Sequence, residues 1–275
     1  MPEARTAVPR PRIHVLDFAR LVAIFLMLQG HTLEAFVAPS AMDWTTLHWQ
    51  LWGQIRGLTA PLFLLVSGAA TVLATRRDAT GRIPMGQVRH RLRTALWVGA
   101  IGYLMVFPAA RLADLRWVTP EGWRIFLQVN ILQLNAVTLA LLTGLMLLTR
   151  SVRRHAAWSL AVGLAILLLA PWVAGRDWFA WLPESLAAYL SFAHGSLFPV
   201  FPASAFMFLG VGLGSVLVEA PETERLRWFR LAAFAAGLVA LILSVASAQV
   251  PAHWFPPHDA YKAGWASAFH RLGFS

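Results

Sequence analysis

The stretch Val15-Leu-Asp-Phe-Ala-Arg20-Leu-Val-Ala-Ile-Phe-Leu-Met-Leu28-Gln-Gly-His31-Thr-Leu-Glu34-Ala-Phe-Val37 decides what kind of protein this is. As a helix it is about 35 Å long, enough to cross a hydrocarbon layer of roughly 30 Å. It nevertheless holds Asp17, Arg20, His31 and Glu34. At about 100° per residue these four fall within one arc of roughly 100°, with Arg20 and His31 about 16 Å apart along the axis. An ionisable group near a bilayer centre costs about 2.5–3.5 kcal/mol on insertion scales, and less toward the edges. The four are therefore expected to face a protein interior or a wet cavity, and a functional role is the default expectation for such groups.

The rest of the chain has the same character. Its 275 residues are 58% hydrophobic and 13% charged, with thirteen Trp and seventeen Phe. A soluble domain carries about 25% charge, whereas abundant interfacial aromatics fit a polytopic membrane protein. Apolar segments near 15–37, 53–75, 93–110, 125–149, 156–174, 198–218 and 229–250 predict about seven spans in an all-α bundle. One domain, 1–275, accounts for the chain, and its polar, aromatic ending at 251–275 is expected to lead into a further span. The net charge of +10 suggests no nucleic acid, because the basic residues sit in short loops between spans. Sixteen Lys/Arg fall on the side of the N-terminus and seven on the other, which predicts a cytoplasmic N-terminus. Cysteine is absent, which excludes disulfides and thiol nucleophiles. Only Lys262 is lysine, an arginine bias read as bacterial, so the expected location is an inner membrane. A cleaved leader is the competing reading of Arg5, Arg10, Arg12 and the apolar run after them. Gln29, His31 and Glu34 interrupt that run, and Pro39 spoils the nearest cleavage site.

Several motifs have both a chemical and a plain reading. Arg20 can meet a cytosolic anion, and His31 can act as a base deeper in the bundle with Glu34 orienting its ring. The plain reading is an arginine snorkelling beside Asp17 and a histidine bonding between helices. In the second span, Thr59-Ala-Pro-Leu-Phe-Leu-Leu-Val-Ser-Gly68 carries a kinking proline and a small-residue packing site. The 76–93 region, expected as a loop, holds Arg76, Arg77, Arg82, Arg89, Arg91 and Arg93; these can bind cofactor phosphates or only fix topology. Gln128, Asn130, Gln133, Asn135 and Thr138 can cement the fourth span or line a tunnel. The outward 38–52 and 175–197 segments are rich in Trp, and the second is expected to form an interfacial helix. His48 lies at this outer mouth beside Trp49 and Trp52 as a second candidate base. No histidine pair has metal-ligand spacing with a carboxylate third, so no metal is expected.

Three of these patterns carry a resemblance. Arg20 and His31, ten residues between them, resemble the signature of the acyltransferase type 3 membrane proteins. Ala60-Pro-Leu-Phe-Leu-Leu-Val-Ser-Gly68 resembles the second-helix pattern of the same transmembrane acyltransferase superfamily. Phe198-Pro-Val-Phe-Pro202 followed by Phe208-Leu-Gly-Val-Gly-Leu-Gly214 looks more like its heparan-alpha-glucosaminide N-acetyltransferase branch, with Ala203 where that pattern has Trp. The resemblance implies transfer of an acyl group, acetyl above all, from cytosolic acetyl-CoA to a sugar, glycan or lipid-linked acceptor at or beyond the membrane. It implies His31 as the signature histidine. In the heparan branch an Asn tends to hold that place and a loop histidine precedes the second helix; that histidine is His48 here. Arg20, Arg89, Arg91 and Arg93 are then expected at the CoA phosphates. A transporter or lipid flippase using the same polar groups without chemistry is the alternative. A haem cytochrome is disfavoured because His31 alone lies well inside a span.

The charge bias gives a direct test. Reporter fusions at Gly81 and Asp43 are expected to read cytoplasmic and external, respectively; the reverse pattern would also move the CoA-binding side.

Overall fold

The computed structural model describes residues 13–275, so Arg5, Arg10 and Arg12 lie outside the described residues. Those residues form an all-α bundle. Its long helices are α1 His14–Phe36, α2 Leu47–Leu73, α3 Met85–Leu104, α5 Ile131–Leu148, α6 Val152–Ala174, α8 Val200–Glu219 and α9 Arg225–Ala248. Shorter ones are α4 Pro120–Leu127, α7 Glu184–Ala187, α10 Ala260–Ala263 and α11 Trp265–Phe274. Six of the long helices are apolar and long enough to cross a membrane. The seventh, α3, carries Arg89, Arg91 and Arg93 in its first half and is less apolar for that reason. The chain is a multi-pass membrane protein.

The centre of the bundle is α8, packed between α2 and α6 and buried from Pro202 to Val211. Glycine makes this possible. A Cβ on Gly68 would strike the carbonyl of Met207, and one on Gly210 would strike that of Leu65. A Cβ on Gly214 would come 2.6 Å from Ala69 Cα. The backbones of α2 and α8 therefore touch, as small-residue pairs allow in membranes. Around them a core of leucines and aromatics closes, including Leu64, Leu134, Leu167 and Phe206.

The structure redraws four segments. The arginine region is a loop only to Pro84; α3 then runs unbroken through Arg89, Arg91 and Arg93, because nothing after Pro84 breaks it and Arg is a good helix former. The fourth expected span is split at Gln128-Val129-Asn130 into α4 and α5. Val129 turns its backbone outward: its N–H donates to Ser196 Oγ at 3.0 Å, and its carbonyl accepts from Leu197 and Phe198 at 3.0 Å each. The 175–197 segment forms turns and the one-turn α7 rather than an interfacial helix, since Gly175, Pro183 and Gly195 interrupt it. Helix α2, in turn, begins at Leu47, so His48 lies in its first turn, and it continues unbroken through Pro61.

Gly210→Ala is expected to lower stability by about 1–3 kcal/mol, because the clash is with backbone that cannot rotate away. Gly144→Ala, where nothing lies within 4 Å, should instead gain about 0.5–1 kcal/mol of helix propensity. Thermal unfolding in detergent compares the two.

Candidate functional site

One face of α2 organises the site. Gly53, Gly57, Ala60, Leu64, Ser67, Thr71 and Ala74 recur every three or four residues, so they form a single stripe along the helix. The first four line a cavity of 560 Å³ at one end of the bundle. The last three line a cavity of 340 Å³ at the other end. The floor of the first is Leu64 and Phe206, and that of the second is Ser67 and Met207. Leu64 and Ser67, successive members of the stripe that line different cavities, are about 4.5 Å, roughly one turn, apart along the helix; the residues between the two cavities are called the septum below.

Arg20 dominates the second end. It lines the 340 Å³ cavity and also a neighbouring one of 510 Å³, which Asp17, Glu222 and Arg225 share. Its guanidinium is 3.5 Å from Asp17 Oδ1 and stays partly exposed. Across the smaller cavity stand Gln87, His90, Arg91 and Thr94 of α3, and Asn135 of α5. Gln87, His90, Arg91 and Thr94 share a helical face; with residues 85–93 taken as a loop, that face, and His90 with it, is invisible in the sequence.

The three arginines of α3 are not equivalent. Arg91 is buried: its Nη2 donates to the Thr71 carbonyl and to Thr75 Oγ1, both at 2.7 Å, and Nη1 is 3.4 Å from Met146 Sδ. It clamps α2, α3 and α5 together while forming cavity wall. Arg89 and Arg93 are exposed on other faces of the helix and do not line the cavity. Arg77, in the preceding loop, donates to the Thr149 carbonyl at 2.5 Å and to the Gly81 carbonyl at 2.8 Å, and burial holds its guanidinium below its ordinary pKa. Two of the six arginines thus serve architecture at this end, Arg91 by joining helices and Arg77 by tying down the loop.

At the far end, Glu34 reaches from α1 to Arg56 of α2, an ion pair between facing helices. His31 Nδ1 lies 3.5 Å from the other Glu34 oxygen. The four-residue stripe on α1 is therefore only partly sheltered. Arg20 reaches two cavities and Glu34 meets Arg56, but the His31 side chain is 75% exposed, because α1 packs mainly on α2 and His31 points away from it. His31 connects with the far cavity through Glu34 and Arg56. His48 is also exposed, with its ring 5.4 Å from Trp49, in a cluster with Trp44 and Trp52. Of that cluster Trp44 lines the cavity; neither His31 nor His48 does.

Other groups at this end were not legible in the sequence. His194 Nδ1 lies 2.7 Å from Glu184 Oε1, and its ring stacks on Phe179. Its carbonyl accepts from Gln128 Nε2 at 3.1 Å. Tyr103 and Tyr189 share a hydrogen bond of 3.0 Å; burial first, and this bond second, push the Tyr189 hydroxyl pKa up. Arg56, Tyr261, Lys262 and Arg271 complete the cavity wall. Spacing gives no hint that residues 261–271 return to α2. Of the amides in the fourth span, Asn135 faces a cavity, Gln128 ties down the His194 loop, and Gln133 is buried.

These features define a membrane-embedded helix bundle with a cavity toward each end of α2, each mostly apolar with a few charged and polar side chains in its wall. The family model for heparan-alpha-glucosaminide N-acetyltransferase, catalytic, matches residues 12–249, and the chain belongs to that family. Comparisons with curated proteins and with solved structures found no match.

The difference among the arginines is measurable. Arg91→Met should destabilise the protein by about 2–3 kcal/mol, the worth of hydrogen bonds to a buried charge. Arg89→Gln should stay within about 0.5 kcal/mol of wild type, as exposed substitutions do. Equal unfolding midpoints for the two variants would remove the clamp.

Proposed function

We propose that this member of a membrane acetyltransferase family moves an acyl group, acetyl from acetyl-CoA, across the septum to a sugar or glycan on the other side. The observation that supports it is the α2 stripe: one helix face lines a cavity at each end, and about one helical turn divides them. A thioester carbonyl and an acceptor can meet there without either molecule crossing the bilayer.

In this reading the Arg20 end is cytosolic and takes the donor. Arg20, standing between two cavities, attracts the CoA phosphates; Arg89 and Arg93 add long-range attraction from α3, and Arg91 holds the wall against which the donor lies. The far cavity takes the acceptor. A hydroxyl or amine adds to the thioester carbonyl, the C–S bond breaks, and the acyl group stays on the new C–O or C–N bond. The proton removed by the base ends on the departing sulfur, giving the free thiol. His31, oriented by Glu34, is the first candidate base, and His48 in the first turn of α2 is the second. The acceptor is free or lipid-linked, and the setting is a bacterial inner membrane with the N-terminus cytoplasmic.

Arg20→Gln combined with Arg89→Gln and Arg93→Gln is expected to weaken CoA binding by about 1–3 kcal/mol, most at low salt. His31→Ala should leave CoA binding intact and lower acyl transfer by about 10²–10⁴. If His48→Ala is the inactive variant and His31→Ala turns over normally, the base is at the start of α2. A well-folded protein that neither binds CoA nor transfers acyl groups, yet moves a sugar across vesicles, would establish the transporter reading instead.

A further inference from the structure

The far cavity holds a charge pattern that the transfer reaction does not require. Three cations line it, Arg56 of α2, Lys262 of α10 and Arg271 of α11, and among the described residues no carboxylate does. Two of the three are already balanced from behind. Arg56 meets Glu34 and lies 5.3 Å over the Trp52 ring. Lys262 Nζ is 3.6 Å from Asp259, which also caps α10 by accepting from the Tyr261 and Lys262 amides. Arg271 has no carboxylate partner among the described residues. It is held by neutral groups alone: Nη2 donates to the Tyr261 carbonyl at 3.0 Å, and the guanidinium lies 4.5 Å over the Tyr261 ring. The cavity thus carries about one uncompensated positive charge, on a side chain that is aimed and keeps most of its five donors free.

The walls are suited to a sugar. Trp44, Phe192, Phe198 and Tyr261 line the cavity beside the cations. A pyranose presents a C–H face to such rings and hydroxyls at its edge. The 560 Å³ volume lies within the usual range for small-molecule sites.

We infer that this vestibule selects an acceptor sugar carrying one negative charge, a carboxylate or phosphate ester, which Arg271 binds with Lys262 and Arg56 at its flanks. Guanidinium groups match both anions with paired hydrogen bonds. The same field disfavours binding of a sugar whose only charge is a protonated amine; an acceptor that offers a hydroxyl, or an amine that enters neutral, meets no such penalty. The inference rests on the reading of this cavity as the acceptor side. The sugar is either soluble or the headgroup of a lipid; the anion chemistry is the same.

The test measures binding to the full chain in zwitterionic nanodiscs at low salt. The probes are glucuronate, glucose 1-phosphate, methyl glucoside and glucosamine. Both anionic sugars should bind at least about tenfold tighter than methyl glucoside, glucosamine should bind weakest, and high salt should compress the order. Arg271→Gln should reduce the preference to about threefold or less, and Arg271→Lys should keep most of it. Lys262→Gln, at a half-exposed side chain, should reduce it in part and serves if Arg271→Gln does not fold. A glucuronosyl lipid placed in the disc tells the two sources apart: displacement of soluble glucuronate at low mole fraction marks a lipid headgroup, and its absence a soluble sugar. Equal binding of charged and neutral sugars, or a preference unchanged in Arg271→Gln and Lys262→Gln alike, overturns the inference. CoA binding, measured on the same samples, is independent of it: an anion preference without CoA binding removes the transferase reading and leaves this site standing.

Discussion

Helices α2 and α8 touch backbone to backbone at Gly68, Gly210 and Gly214, and much of the rest follows from that contact. Lipid offers no hydrophobic push between helices, so close packing must supply the association. With α2 pressed on α8, the α2 residues on the contact side are fixed in rotation. The stripe from Gly53 to Ala74 is then turned toward the two cavities. Phe206 lines the first cavity with Leu64 and Met207 the second with Ser67, so these four stand between the two. Any side chain larger than hydrogen at Gly68 or Gly210 would separate the helices and open that barrier.

Charge is distributed by depth. Deep positively charged groups are spent on architecture: Arg91 donates to the Thr71 carbonyl and to Thr75 Oγ1, which also bond each other. A buried guanidinium is tolerated only with such partners. The partly exposed ones include Arg20 at one end and Arg271 at the other. Each lies on a cavity wall, and the carboxylates nearby either pair weakly, as Asp17 does with Arg20, or serve a neighbour, as Asp259 does with Lys262.

The long apolar runs were readable because a bilayer imposes length and composition on every span. The α2 pattern from Ala60 to Gly68 was readable for a related reason: Gly68 marks the helix contact directly. Other features depend on partners far along the chain. Nothing near Val129 announces that its carbonyl belongs to Leu197 and Phe198, so the break between α4 and α5 was hidden inside an apolar run. Helix α8 is apolar all round, so periodicity gave it no face, although it is the most buried span. Arg91 looked like its neighbours Arg89 and Arg93 until α3 placed it against Thr71 and Thr75. The α1 stripe was visible, but not which of its members α2 would cover: Glu34 meets Arg56, while His31 stays largely exposed.

The broken helix at Val129 also holds one wall of the far cavity. Segment 196–198 is anchored there by three hydrogen bonds to one residue, and the neighbouring His194 carbonyl is gripped by Gln128. The opposite wall, α10 and α11, packs along α9, where Ser244 Oγ donates to the Ala266 carbonyl at 2.8 Å, is joined to α6 through Trp265 Nε1 on the Leu168 carbonyl, and reaches Phe192 through Lys262. Each wall is thus held by a partner distant in sequence, one by the break between α4 and α5 and the other by α6 and α9. The placement of Lys262 and Arg271 is therefore set by helices, α6 and α9, that contribute no residue to the cavity they shape.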